Sequence, residues 1–436
     1  MKKSRKLNLE IWRLALPNII SNVSVPLLST VDTALMGRLS AAHLGAVGIS
    51  AMIFNFLYWN FGFLRMGTTG MTAQAYGAEN RKNMLLVLWR SLSLGMLISV
   101  VLFLFRHILM DWSLLAFQVD ESQVDFVREY FYIRIWAAPA YMGLLCLLGW
   151  FFGMQNAVLP LVITIVINGV NMLLSYYFVY QLEYGIRGVA LGTLIAQYLG
   201  LLLSLVFFLA RYRFIIVPIS WTSFLKWDEF KEFLLTNQDL FIRTVLLTFV
   251  FAFFYSQSSY FGVISLAISV VIMQFVNWMS YGIDGIAFAA ESVVGKYKGA
   301  ADNQNLKMAI RYLMFWGMGF AVIYSAIYGM GADVLVKVFS SDTEVIDGFG
   351  DYFFWLIIIP ILAFPSYIWD GVFIGLTASK SMRNAMILPF ALFLAVFYMF
   401  REALGLHALM LALSLFLLAR GLIQTWMYRQ KGTDLM

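Results

Sequence analysis

One cysteine in 436 residues excludes a disulfide framework, because Cys146 has no partner within the chain. Three histidines, His43, His107 and His407, are scattered near predicted loops at no metal-ligand spacing. They are read as solvated or packing side chains, and no metal is expected. Charged residues make up only 12% of the chain, about half of the ~25% found in soluble domains. That scarcity excludes the water-facing surface of a cytosolic enzyme, and a 61% hydrophobic content excludes disorder. No G-x-x-x-x-G-K-[ST] segment is present, so no ATP site is expected. Met1 to Lys6 is basic, yet the apolar stretch at 11–36 is too long for a leader and holds Pro17 and Pro26 without a small-residue cleavage site.

What the chain does have is apolar residues in long continuous runs, with mean hydropathy of +0.80. At ~20 residues per helical span, there is material for about twelve. Alternating segments of ~10 residues, as a β-barrel needs, are not what is seen. The runs predict spans near 11–36, 44–76, 85–110, 126–152, 158–181, 187–210, 234–257, 262–295, 306–332, 349–376, 384–401 and 405–428. The formal charge of +6 is read by position. With a cytoplasmic N-terminus, 17 of the 30 Lys and Arg residues fall in inner segments or at the span ends beside them and 6 in outer loops or at the span ends beside those, the other 7 lying deeper within spans. This asymmetry predicts that both termini are cytoplasmic.

Two parts of the chain match at an offset of 222. Tyr76-Gly77-Ala78-Glu79-Asn80 lies opposite Lys298-Gly299-Ala300-Ala301-Asp302, and Gly149-Trp150-Phe151-Phe152-Gly153 opposite Gly371-Val372-Phe373-Ile374-Gly375. A weaker match pairs Gly185 and Leu191-Gly192 with Gly405 and Leu411-Ala412, at 220. The bland alternative is that small residues recur because close helix packing needs them. A six-span repeat returns the chain to its starting side. The two halves would then share one orientation, related by a pseudo-two-fold axis along the membrane normal, as in transporters. The expected organisation is a six-helix bundle over 1–211, a cytoplasmic amphipathic linker over 212–232 and a second six-helix bundle over 233–436. The linker mixes Trp221, Phe224, Trp227 and Phe230 with Lys226, Asp228, Glu229 and Lys231, as an interfacial helix would.

These residues resemble the multidrug and toxic compound extrusion (MATE) family, and more narrowly its DinF branch. The likeness rests on Trp12-Arg13-Leu14-Ala15-Leu16-Pro17, Val25-Pro26-Leu27-Leu28 and Val31-Asp32-Thr33-Ala34 in the first span. Leu64-Arg65-Met66 and Thr72-Ala73-Gln74-Ala75-Tyr76-Gly77-Ala78 resemble the second span, and Leu148-Gly149-Trp150 the fourth. Asp284-Gly285, Ala290-Glu291, Asp370-Gly371-Val372-Phe373-Ile374-Gly375 and Met382-Arg383-Asn384 extend it through the second half. The resemblance implies a secondary exporter and not an enzyme. It would be a monomer in a bacterial inner membrane, exchanging amphipathic, often cationic small molecules for inward-moving H⁺ or Na⁺. No cofactor and no nucleic-acid partner are implied.

A charge at mid-membrane costs ~2.5–3.5 kcal/mol even on insertion scales, so each buried charge asks for a reason. Asp32 follows Asn18, Ser21, Asn22, Ser24, Ser29 and Thr30, in a span polar enough to face the protein interior. A desolvated carboxylate there can hold a proton, bind Na⁺ or meet a drug amine; the alternative is a structural acid bonded to Ser and Asn. Pro17 and Pro26 each leave a helical carbonyl without its donor and can bend the span. The resemblance adds Asn171 and Ser175, one turn apart, and Thr193 as partners of Asp32. Some relatives carry an acid where Ser175 stands, so a single carboxylate favours H⁺ over Na⁺, with Na⁺ binding at Asp32 as the alternative. In the second half Asp284, Glu291 and Asp370 lie within spans, with Arg243 as an expected ion-pair partner. That group is read as a structural cluster ahead of a substrate contact. The competing transport reading is a flippase for lipid-linked oligosaccharides or lipids, which shares the architecture and would favour an arginine-rich cavity. Among the interior cations Arg65, Arg90, Arg134, Arg243, Arg311 and Arg420, no cluster is evident in the sequence.

Overall fold

The computed structural model describes the backbone of residues 2–37, 41–340 and 342–435; side chains are described for these except 2, 3, 25–37, 41–44, 332, 333, 338 and 431–435. Helices account for nearly all of it, and no strand occurs among the described residues. Helix α1 spans Lys2–Gly37. α2 (Ala41–Trp59) and α3 (Phe63–Gly77) are joined by one 3₁₀ turn, Asn60–Gly62. α4 (Arg81–Leu104) and α5 (Arg106–Ala116) follow. α6 (Glu121–Arg134) passes through the turn Ile135–Ala137 into α7 (Ala138–Gly153). α8 (Val158–Tyr176) ends in a π turn, Tyr177–Gln181, before α9 (Gly185–Tyr212) and the short α10 (Trp221–Phe224). Then come α11 (Trp227–Tyr260), α12 (Val263–Gly299) and α13 (Asn303–Phe339). α14 (Thr343–Phe349), α15 (Phe353–Gly375), α16 (Ser379–Leu404) and α17 (Leu406–Leu435) complete the chain.

Eleven of the resulting helical stretches, the first starting at Gly45 and the last ending at Gln430, are long and apolar enough to cross a membrane. With α1 they coincide with the twelve spans expected from hydropathy. α12 and α13, at 37 residues each, are ~55 Å long at 1.5 Å per residue, well beyond a ~30 Å hydrocarbon core.

The helices form two compact units. One is Ile20–Leu234; the other joins Met1–Ile19 to Leu235–Met436. Specific contacts hold the opening half of α1 to the second unit. Trp316 Nε1 donates to Asn8 Oδ1 at 2.9 Å, and Trp12 packs edge-on against Trp316 at 4.9 Å. Lys296 Nζ and the Tyr297 hydroxyl both donate to the Glu10 carboxylate, at 2.6 and 2.8 Å. The boundary between the units therefore runs through α1 two residues after Pro17, whereas the sequence grouped 1–211 together. The other boundary, 234/235, falls in the opening turns of α11. Within that linker α10 is tied to α4: buried Arg90 donates to the carbonyls of Ser223 (3.0 Å) and Phe224 (3.2 Å) and pairs with Glu229 at 3.2 Å. Trp221 is left exposed.

The two units repeat each other in detail at the offset of 222. Glu79 and Ala301 both take a left-handed backbone, φ 54° and 53°. Each closes the same helix-ending pair of hydrogen bonds: Glu79 N to Tyr76 O with Asn80 N to Ala75 O, and Ala301 N to Lys298 O with Asp302 N to Tyr297 O. Asn80 and Asp302 then cap the next helix through Asn83 N and Asn305 N. Gln155 and Thr377 share φ values of 59° and 53°, and Glu183 and Gly405 of 56° and 54°. The last pair lies at 222, so it is this spacing, and not the 220 of the weaker sequence match, that the backbone repeats. Packing repeats too. A Cβ at Gly153 would stand 2.9 Å from the Thr69 carbonyl oxygen, and one at Gly375 would stand 2.8 Å from that of Glu291. Gly149 and Gly371 lie likewise against the carbonyls of Arg65 and Ala287. In each unit two glycines one turn apart let a broken span press backbone to backbone on its neighbour, α7 on α3 and α15 on α12.

Candidate functional site

The first-unit site grows from α8. Asn168, Asn171 and Ser175 recur at three and four residues, so they share one helical face, and all three are buried. α9 meets this face through Gly192, where a Cβ would stand 2.8 Å from Ser175 Oγ. The close approach carries Thr193 against α8: Asn171 Nδ2 donates to Thr193 Oγ1 at 2.8 Å, and that hydroxyl donates to the Val189 carbonyl at 2.9 Å. Asn168 Nδ2 reaches Ser24 Oγ of α1 at 3.3 Å, and Ser24 Oγ donates to the Ser21 carbonyl at 2.7 Å. Asn171, Ser175 and Thr193 thus lie together where α8 meets α9. Asn168 and Ser24 join them; the spacing Asn168-x-x-Asn171-x-x-x-Ser175 was the signal that could have found Asn168. Two sealed atoms here, Asn171 Oδ1 and Ser175 Oγ, have no hydrogen-bond partner among the described residues. Asp32 and Pro26 lie on the helical backbone of α1, but their side chains fall outside the described residues. Pro17 is described: it sits inside the continuous helix, and the next residue, Asn18, donates from Nδ2 to the Leu14 carbonyl at 2.9 Å.

The second-unit site centres on Asp370. Its Oδ2 accepts from Arg243 Nη2 and, at 2.6 Å, from Arg420 Nη2; its Oδ1 accepts from Gln424 Nε2 at 2.7 Å. α11, α15 and α17 each supply a member. All of these side chains are buried, Arg420 to 2% exposure. Arg420 and Gln424 lie one turn apart on α17, a spacing visible in the sequence once the partner acid is known. Of the three second-half acids for which Arg243 was the expected partner, it is Asp370 that pairs with it, because α11 and α15 present these groups to one another within the unit. Glu291 is buried on α12 and Asp284 half-buried seven residues before it. Near Asp284, the Ser280 hydroxyl and the Tyr367 hydroxyl are 2.7 Å apart. Arg383, from the last of the quoted motifs, donates to Asp239 Oδ1 at 2.6 Å, and Ser379 Oγ donates to Asp239 Oδ2 at 3.1 Å. Of the histidines, the exposed His107 has its Nδ1 2.9 Å from the Tyr132 hydroxyl, and the half-buried His407 stacks on Tyr352 and accepts from Trp355 Nε1 at 3.1 Å. His43 falls outside the described side chains. Among the described residues, no group of three His, Cys, Asp or Glu is arranged to hold a metal ion.

Chemically, the first site offers unpaired neutral oxygens, an environment for a proton, an ammonium or a small cation. The second offers a carboxylate already saturated by two guanidiniums and an amide. The family profile described as MatE matches residues 17–177 and 240–405, once in each half. The chain is 34% identical over 426 residues to the DNA damage-inducible protein F of Escherichia coli K12, covering 96% of this chain and 92% of that one. It is 24% identical over 352 residues to a probable multidrug resistance protein NorM of Thermotoga maritima, covering 78% and 73%. Its fold is that of a mutant of the Vibrio cholerae MATE transporter VcmN, with a TM-score of 0.88, 19% identity and coverage of 100% and 99%.

Proposed function

The chain belongs to the MatE family of membrane transporters, and from that premise we propose that it is a secondary active antiporter of the bacterial inner membrane, exporting amphipathic and cationic small molecules in exchange for H⁺ through Asp32. The observation that carries this reading is the pair of sealed, unpartnered oxygens on α8, Asn171 Oδ1 and Ser175 Oγ. Asn171 Oδ1 only accepts, and a buried acceptor left without a donor costs ~1–3 kcal/mol, whereas the Ser175 hydroxyl can also donate, to a carboxylate in its charged form. A protonated carboxyl group supplies a donor; an ionised one does not. The site is thus suited to an acid that is neutral in one stage of the cycle and charged in another. Desolvation favours the neutral form, and deprotonation creates the negative charge that attracts an ammonium. Na⁺ would draw on several oxygens at once, and the position that would give a second carboxylate holds Ser175, so H⁺ is the better fit.

Pro17 supports a bending role for α1. It withdraws one N–H from the helical ladder, and the packing allegiance of α1 changes just after it. Protonation of Asp32 would act on the segment beyond this weak point. The flippase reading is less well supported, since two of the buried arginines it would need, Arg243 and Arg420, are already engaged with Asp370.

The decisive experiment is Asp32→Asn, a fixed mimic of the neutral acid. The variant is expected to fold, to give no drug resistance in an efflux-deficient host, and to show no substrate-induced proton movement in proteoliposomes. Export near the parent rate under a pH gradient would remove Asp32 from the coupling role. Export that ignores collapse of the proton gradient and follows external sodium would keep the site and change the ion.

A further inference from the structure

Arg134 closes α6 inside the candidate span Glu121–Gly153. Its guanidinium lies 5.6 Å from the centre of the Phe54 ring and 5.8 Å from that of Tyr58. Tyr58 is stacked flat on Tyr141, centres 4.4 Å apart and planes 16° apart. The buried Phe131 backs Phe54 at 5.3 Å. Within this aromatic enclosure, Nε and Nη1 of Arg134 and the hydroxyl of Tyr58 are all sealed and have no hydrogen-bond partner among the described residues. No carboxylate pairs with Arg134 among the described residues. Arg134 itself is half-buried, and the fully buried arginines differ from it: Arg90 holds Glu229 and two carbonyls, and Arg243 and Arg420 hold Asp370.

A cation over aromatic faces recovers ~0.5–2 kcal/mol, which leaves most of the cost of an unpaired charge in a membrane span unmet. Three sealed donors without an acceptor define what would complete the enclosure: a group that brings two or more acceptor oxygens and a negative charge. The flanking rings define the rest of that molecule, which must be apolar and is best flat. We propose that Arg134, Tyr58 and Tyr141 form a binding site for the anionic group of an amphipathic molecule, a carboxylate, sulfonate or phosphate on an apolar body. The inference rests on the export reading above, to which it adds a second class of cargo: amphipathic anions beside cations, recognised away from the α8 oxygens. Charge-assisted, two-pronged contact from the guanidinium fixes the acid group, and the rings hold the body.

The test uses the full chain in lipid nanodiscs and two probes with one body and opposite charge, 1-pyrenesulfonate and 1-pyrenemethylammonium. Binding is read by equilibrium dialysis against protein-free discs, apart from any transport, so that failure of this inference and failure of the antiporter reading are distinguishable. Arg134→Gln is expected to weaken pyrenesulfonate binding about tenfold or more, as loss of a hydrogen-bonded charge does, with the ammonium probe held within about twofold. Arg134→Lys keeps the charge but loses the fork, and is expected to fall between. Tyr58→Phe removes only an unpartnered hydroxyl, so it folds whatever the fate of the arginine variants, and is expected to weaken the sulfonate by about threefold or more. Discs of phosphatidylcholine alone are compared with discs containing phosphatidylglycerol. Sulfonate binding that survives the anionic lipid assigns the site to a solute. Binding lost to that lipid in a manner dependent on Arg134 assigns the same site to a lipid phosphate. Pyrenesulfonate affinity unchanged in Tyr58→Phe and within twofold in whichever arginine variant folds, or equal weakening of both probes, overturns the proposal.

Discussion

Replacing Asp370 by Asn tests the energetic reading of the second unit. The parent side chain is the shared ion-pair partner of Arg243 and Arg420, offsetting one of their two charges, and accepts from Gln424, all in a buried setting. Asparagine keeps the shape, and one oxygen to accept with, but removes the charge and turns one acceptor into a donor facing other donors. Two guanidiniums are then left buried without their counterion. Breaking a buried pair from one side costs about 3–5 kcal/mol. For a unit of this size each kcal/mol moves Tm by about 2–4 °C, so Asp370→Asn is expected to melt about 6–20 °C below the parent. Arg243→Gln or Arg420→Gln alone is expected to cost less, since the carboxylate keeps its other partner. Combining Asp370→Asn with Arg420→Gln should cost less than the sum of the singles, with a coupling of about 0.5–3 kcal/mol. The assay is thermal unfolding of purified protein in one detergent, followed by tryptophan fluorescence, with transport measured per folded molecule. An Asp370→Asn variant that melts within about 1 °C of the parent would show that the three side chains do not act as a buried ion cluster.

Two further outcomes follow from the same packing. Glu291, sealed on α12 against α15, is read as structural, so Glu291→Gln should lower expression and Tm more than transport per folded molecule; a stable, well-expressed variant without transport would put Glu291 in the mechanism. The expected topology places the 224–232 linker and the loop near 77–84 inside and the acidic loop near 111–125 outside. With native Cys146 buried and silent, an impermeant thiol reagent on whole cells should label Glu121→Cys and spare Lys226→Cys. Strong outside labelling of Lys226→Cys would sink the span count and the orientation together.

The helices, their number and their duplication were legible in the residues because each depends on neighbours in the chain. Hydropathy runs set the spans, and the offset of 222 set the repeat, down to paired helix ends such as Asn80 and Asp302. The grouping of Asn171, Ser175 and Thr193 came through the family resemblance, helped by Asn171 and Ser175 sharing a face. What the chain order could not disclose is which distant side chains share a partner. Arg243 and Asp370 are 127 residues apart, and Arg420 and Asp370 50 apart; helical periodicity says which face each occupies but not which helix that face meets. The same holds for Arg90 holding the linker, for α1 dividing its packing after Pro17, and for Arg134, which meets aromatic faces and no carboxylate among the described residues. Hydropathy is summed along the chain, and that decided the spans; pairing of buried charge depends on packing across helices, and only the tertiary structure decided it.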